Sequence, residues 1–124
     1  MFTLLLSGVA SADVIVNDRC PFTQFRFNAC NGEELVASGV LRRVEKLLPN
    51  GTLQIRISVH ATAVGSQGNE YVVNDQHHIT SSTAEFLEVF RDRLISKGPA
   101  RNQHVLLTVS SPPFEFEFDA DCRG

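Results

Sequence analysis

Apolar residues recur with period two along most of the chain. Leu53, Ile55, Ile57, Val59, Ala61 and Ala63 alternate with Gln54, Arg56, Ser58, His60 and Thr62, the pattern of an antiparallel strand with one face covered and one wet. Similar runs occupy Phe25 and Phe27, Val36 to Leu48, Tyr71 to Ile79, Phe86 to Ile95, Val105 to Val109 and Phe114 to Phe118. Turn formers separate them: Asn31-Gly32, Asn50-Gly51, Gly65 to Gly68, Ser81-Ser82, Gly98-Pro99 and Pro112-Pro113. The spacing predicts an all-β fold, an antiparallel meander of about seven or eight strands forming a small closed or flattened barrel, with a β-sandwich as the alternative. Thr83 to Lys97 is the one stretch with competing helical spacing, through Phe86, Leu87, Phe90, Leu94 and Ile95, and we read it as a strand.

Asn50-Gly51 is the strongest hairpin signal, because a two-residue type I′ turn needs positive φ at both positions. Counting outward from such a turn sets Leu48 by Leu53, Val44 by Ile57 and Val40 by Ala61 on one face, with Glu45 facing Arg56 on the other. Asn50-Gly51-Thr52 also has the form of a glycosylation acceptor, which the turn accounts for without a glycan.

The segment Pro112 to Cys122 is the most regular. Phe114, Phe116, Phe118 and Ala120 point one way, and Glu115, Glu117, Asp119 and Asp121 the other. A flat comb of carboxylates cannot wrap a calcium ion, which takes six or more oxygens. It reads instead as the charged outer face of a strand that discourages edge pairing, helped by the two prolines.

The chain has 124 residues, enough for one domain. Eleven Lys and Arg against fourteen Asp and Glu give a net charge of −3, interleaved along the chain, so no nucleic-acid footprint is present. Nine Phe, one Tyr and no Trp leave little for a carbohydrate or base-stacking platform. Residues 1–12, MFTLLLSGVASA, are apolar and uncharged and end in Ala10-Ser11-Ala12, the form of a cleaved secretory signal although no basic residue opens it. The mature domain is then 13–124, exported to the periplasm or medium. The apolar run is too short for a membrane span.

Cys20, Cys30 and Cys122 in an exported chain read as one disulfide plus one leftover thiol, and three pairings are open. No Cys-x-x-Cys occurs and no His stands at zinc-ligand spacing from a Cys, so no metal or other cofactor is implied. Arg56, His60 and His78 fall on the polar faces of two neighbouring strands and are the candidate binding residues; His77 has the opposite parity and reads as partly buried and hydrogen-bonded. No catalytic constellation is identifiable from spacing.

Asn28-Ala29-Cys30-Asn31-Gly32-Glu33, Leu94-Ile95-Ser96-Lys97-Gly98 and Asp121-Cys122-Arg123, with His60 to Ala63, resemble segments of an uncharacterised group of short exported bacterial proteins. Members show Asn-Pro-Cys-Asn-Gly-Glu early, Leu-Ile-Ser-Gln-Gly late and a cysteine near the C-terminus; Ala29 and Lys97 depart from that pattern, and Cys20 is extra. The resemblance implies an exported all-β domain in which Cys30 pairs with Cys122. It leaves Cys20 free to form a disulfide-linked dimer, and it implies no activity. The expected function is that of a non-catalytic module binding a small ligand or a protein partner; a structural or interaction protein of the cell envelope is the alternative, and an enzyme a distant third.

Overall fold

The computed structural model describes residues 13–124; the expected signal, residues 1–12, lies outside them. Seven antiparallel strands follow one another: β1 (Asp13–Asn28), β2 (Glu33–Leu47), β3 (Leu53–Gly65), β4 (Glu70–Ser81), β5 (Phe86–Ser96), β6 (Asn102–Ser111) and β7 (Glu115–Arg123). They form one sheet in sequence order, with no helix and no second layer among the described residues. The meander expected from the alternation is therefore present, and the strand read within Thr83 to Lys97 is β5, Phe86–Ser96.

Curvature follows from contacts that a flat sheet could not make. Arg26 on β1 reaches Asp75 on β4 at 2.9 Å and Asp92 on β5 at 2.5 Å. In a flat sheet β1 and β5 would lie about 19 Å apart, beyond any side chain. The sheet thus curls into a trough whose first and last strands approach at one end. There Asn28 donates through Nδ2 to the Arg101 carbonyl, and Cys30 is bonded to Cys122 with Cα atoms 5.7 Å apart. Because seven is odd, β1 and β7 run in the same direction, and an all-antiparallel ladder cannot close between them. No β1–β7 pairing occurs among the described residues, and the disulfide forms the seam instead.

The concave side carries the core: Leu35, Ala37, Val59, Ala61, Ala63, Tyr71, Val73 and Leu94, gathered toward the disulfide end. The alternation of β3 is inward as read. Phe25 and Phe27 are not: they stand on the convex side, Phe25 at 83 % exposure, and Arg26 between them points in.

The β2–β3 hairpin corrects the sequence reading by one residue. The chain makes a three-residue loop, with Leu48 N donating to Thr52 O at 2.8 Å and Gly51 N to Leu48 O at 2.9 Å. Within this turn only Gly51 has positive φ, +87°, so the turn is type I closed by a glycine bulge, not type I′. Pro49 explains the choice: its fixed φ suits the second position of a type I turn, and it has no N–H to pair with Thr52 in the two-residue register. Leu47 therefore pairs with Leu53, Val44 with Arg56 and Val40 with His60. Glu45 lies opposite Ile55 on the concave face, where Arg43 is its ion-pair partner, and the expected Glu45–Arg56 pair does not exist.

β1 runs far beyond the Phe25 and Phe27 that marked it in sequence. Pro21 is tolerated within it because an edge strand need not supply every N–H to a ladder. β7 is the other edge, with its carboxylate comb on the convex face as expected.

Candidate functional site: the open lumen

At the disulfide end the trough is sealed by a polar cluster. Glu33, fully buried, accepts hydrogen bonds at Oε1 from the Tyr71 hydroxyl (2.6 Å), Asn69 Nδ2 (3.0 Å) and Asn31 Nδ2 (3.3 Å), and at Oε2 from the backbone N–H of Gln67 (2.8 Å) and Asn69 (3.4 Å). Asn28 and Asn31 in turn donate to the Tyr71 oxygen at 3.1 and 3.0 Å. Burial pushes the Glu33 carboxyl upward, but these donors outweigh it and hold it at about 2. Burial and the Glu33 carboxylate together raise the Tyr71 hydroxyl. A Cβ at Gly65 would fall inside the Glu33 carboxyl, so the residue there must be glycine. The Glu33 carboxylate, the Tyr71 hydroxyl and the Asn28 and Asn31 side-chain oxygens all have their donors, and the cluster acts as a plug that positions the disulfide and the loop carrying Asn28 to Glu33.

Toward the other end the lumen is open. A cavity of about 530 Å³ is walled by Phe22, Leu41, Ile57 and Phe90, with Arg26, Asp75, Asp92 and His77 turned into it. Asp75 and Asp92 are direct cross-strand partners on β4 and β5, each about 7 % exposed. Like charges in that position repel. Arg26 forks between them, but Asp75 Oδ1 is buried with no hydrogen-bond partner. Burial, then the neighbouring Asp92 carboxylate, lift Asp75 to about 7 against the opposing pull of Arg26. Arg26 itself loses hydration on burial, but Asp92 and Asp75 more than compensate and raise it. Nearer the mouth, His77 pairs through Nε2 with Glu88 and meets the Phe90 ring edge-on, centroids 5.4 Å apart. The hydrogen-bonded reading of His77 is correct.

The residues singled out in sequence lie elsewhere. Arg56 and His78 are brought together as cross-strand partners on the convex face, in a smaller groove of about 340 Å³ that also holds Arg42 and Lys46. Burial, then Arg56, Arg91 and His77, lower the His78 pKa. His60 pairs with Asn74, four residues along from His78, roughly 13 Å by strand rise, so the two imidazoles do not converge. Cys30 and Cys122 are bridged, and Cys20 is a free, exposed thiol on β1. Because the bridge is within the chain, nothing supports the expected disulfide-linked dimer. Among the described residues no group of three or more His, Cys, Asp or Glu is arranged to hold a metal.

Arg26, Asp75 and Asp92 were missed, although a signal for two of them was present. Asp75 interrupts the inward parity Tyr71, Val73, His77, Ile79, and Asp92 sits between Phe90 and Leu94 on theirs. A charge at a core-facing position is the observation to follow up. No protein-family model matches the chain, and no curated protein or solved structure does either.

Proposed function

We propose that this is an exported, non-catalytic binding module whose open lumen takes a small ligand with an apolar body. The observation that carries the reading is the cavity of about 530 Å³, within the range of small-molecule sites, where apolar walls meet a few convergent polar groups. Export rests on the signal-like residues 1–12, and an intramolecular disulfide is compatible with it. Among the described residues no helix is long and apolar enough to cross a membrane. The resemblance to the uncharacterised exported group belongs to the same reading and adds no activity. Asp75 and Asp92 are engaged by Arg26 rather than set beside a nucleophile, which favours binding over catalysis.

A second reading, an interaction protein of the cell envelope, is favoured by Phe25, Val36 and Val64, which adjoin in register and are exposed on the convex face. The two are separated with the neutral fluorophore N-phenyl-1-naphthylamine. Saturable fluorescence enhancement is expected, lost in Ile57→Arg, which blocks the lumen, and kept in Val64→Ser, with circular dichroism confirming both folds. Enhancement that survives Ile57→Arg but falls in Val64→Ser would overturn the lumen reading in favour of the convex patch.

A further inference from the structure

The lumen wall holds an imbalance of charge that names its ligand more closely. Two carboxylates, Asp75 from β4 and Asp92 from β5, share one guanidinium, Arg26 from β1. With both ionised, the group carries one net negative charge in a site largely removed from water. The other residues of the same row across the sheet are uncharged: Leu41 on β2, Val59 on β3, Val105 on β6 and Ala120 on β7. Of the other charged groups on the concave face, His77 is paired with Glu88 and Arg43 with Glu45. Among the described residues no cation is therefore left to balance the pair, and Asp75 Oδ1 is a buried acceptor without a donor.

From this geometry we infer that the lumen binds a primary ammonium group carried on an apolar tail, the ammonium donating to the Asp75–Asp92 pair and the tail lying against Phe22, Leu41, Ile57 and Phe90. The inference rests on the lumen reading above and specifies the ligand class. An ammonium has three donors and one positive charge, which matches one missing charge and an unsatisfied oxygen. An alcohol supplies a donor without the charge, and a carboxylate adds a third negative group to the two present. The unliganded protein has another way to balance the site, a proton held between the two carboxyls, and the elevated Asp75 pKa of about 7 agrees with that. Proton and ammonium then compete. Affinity for the amine rises as pH rises toward 7 and levels off above it, while the amine itself remains protonated.

Calorimetric titration with octylammonium, 1-octanol and octanoate, all below their micellar concentrations, tests this at pH 8 and pH 5.5. Octylammonium is expected to bind at least tenfold more tightly than octanol at pH 8, with octanoate weakest, and the preference is expected to shrink by about tenfold or more at pH 5.5. The near-isosteric Asp75→Asn is expected to erase both the preference and its pH dependence while octanol binding persists, which also separates the dyad from titration of His77. Equal binding of all three ligands, or a preference that persists in Asp75→Asn, would overturn the inference and leave the lumen reading standing. Failure of all three to bind would overturn both.

Discussion

Replacing Glu33 with Gln removes one charge and almost no volume, yet it strikes the best-connected side chain among the described residues. The carboxylate accepts from five donors on four residues, all at or near the disulfide end. A glutamine cannot reproduce this. Whichever way its amide is turned, the NH2 faces groups that also donate: Tyr71 and Asn69 Nδ2 on one side, the Gln67 and Asn69 backbone on the other. Holding the carboxyl at about 2 instead of its ordinary 4.5 corresponds to about 3 kcal/mol in favour of the ionised form, and Glu33→Gln resembles the protonated one. Loss of charge-assisted hydrogen bonds suggests a similar figure, about 1.5–3 kcal/mol for each bond not replaced. Urea unfolding at pH 7 should thus show the variant about 3 kcal/mol less stable, and thermal unfolding should show a Tm lower by about 10 °C.

The same group gives the wild type a distinct acid limb. Between pH 4.5 and about 2 the folded protein binds fewer protons at Glu33 than the unfolded chain, so this stability is complete above 4.5 and is lost as pH falls through the window. Asp75 works in the opposite sense. Its folded carboxyl retains a proton that the unfolded chain releases above 3.8, so stability falls as pH rises from there to about 7. Together the two place a stability maximum near pH 4–5, and Glu33→Gln should remove the acid limb alone. A variant within about 0.5 kcal/mol of wild type at pH 7, or one whose acid limb is unchanged, would refute the account of the plug.

Two further outcomes are expected. Replacing both Cys30 and Cys122 with Ala opens a loop spanning 92 positions, for which chain entropy gives a loss of about 4–5 kcal/mol in denaturant unfolding; a loss below about 1 kcal/mol would mean that the plug alone holds the seam. Protein recovered from the medium or periplasm of an expressing cell should begin at Asp13 by N-terminal sequencing, and retention of Met1 there would count against a cleaved signal.

Period-two alternation determined the strands, since side chains that alternate across a pleated backbone reveal which face is covered whatever the strand packs against. Short turns fixed the meander order for the same local reason: they leave each strand no partner closer than its neighbour. Even His77 could be assigned from its parity. Three things were decided only by the tertiary structure. The hairpin register turned on how Pro49 and Gly51 share one turn, where two local preferences conflict and the wrong choice set Glu45 facing Arg56, which in fact lie on opposite faces. The outward position of Phe25 and Phe27 depends on which side the sheet curls toward, and two apolar residues flanking an arginine suggested the opposite. The lumen site depends on that curl entirely. Asp75 and Asp92 are 17 positions apart and adjoin through β4–β5 pairing, but Arg26 lies a further 49 positions before Asp75 and meets both only because the sheet bends back on itself. Spacing along a chain carries local geometry, whereas curvature is a property of the whole sheet, set by packing on its concave face and by the seam that ties its ends.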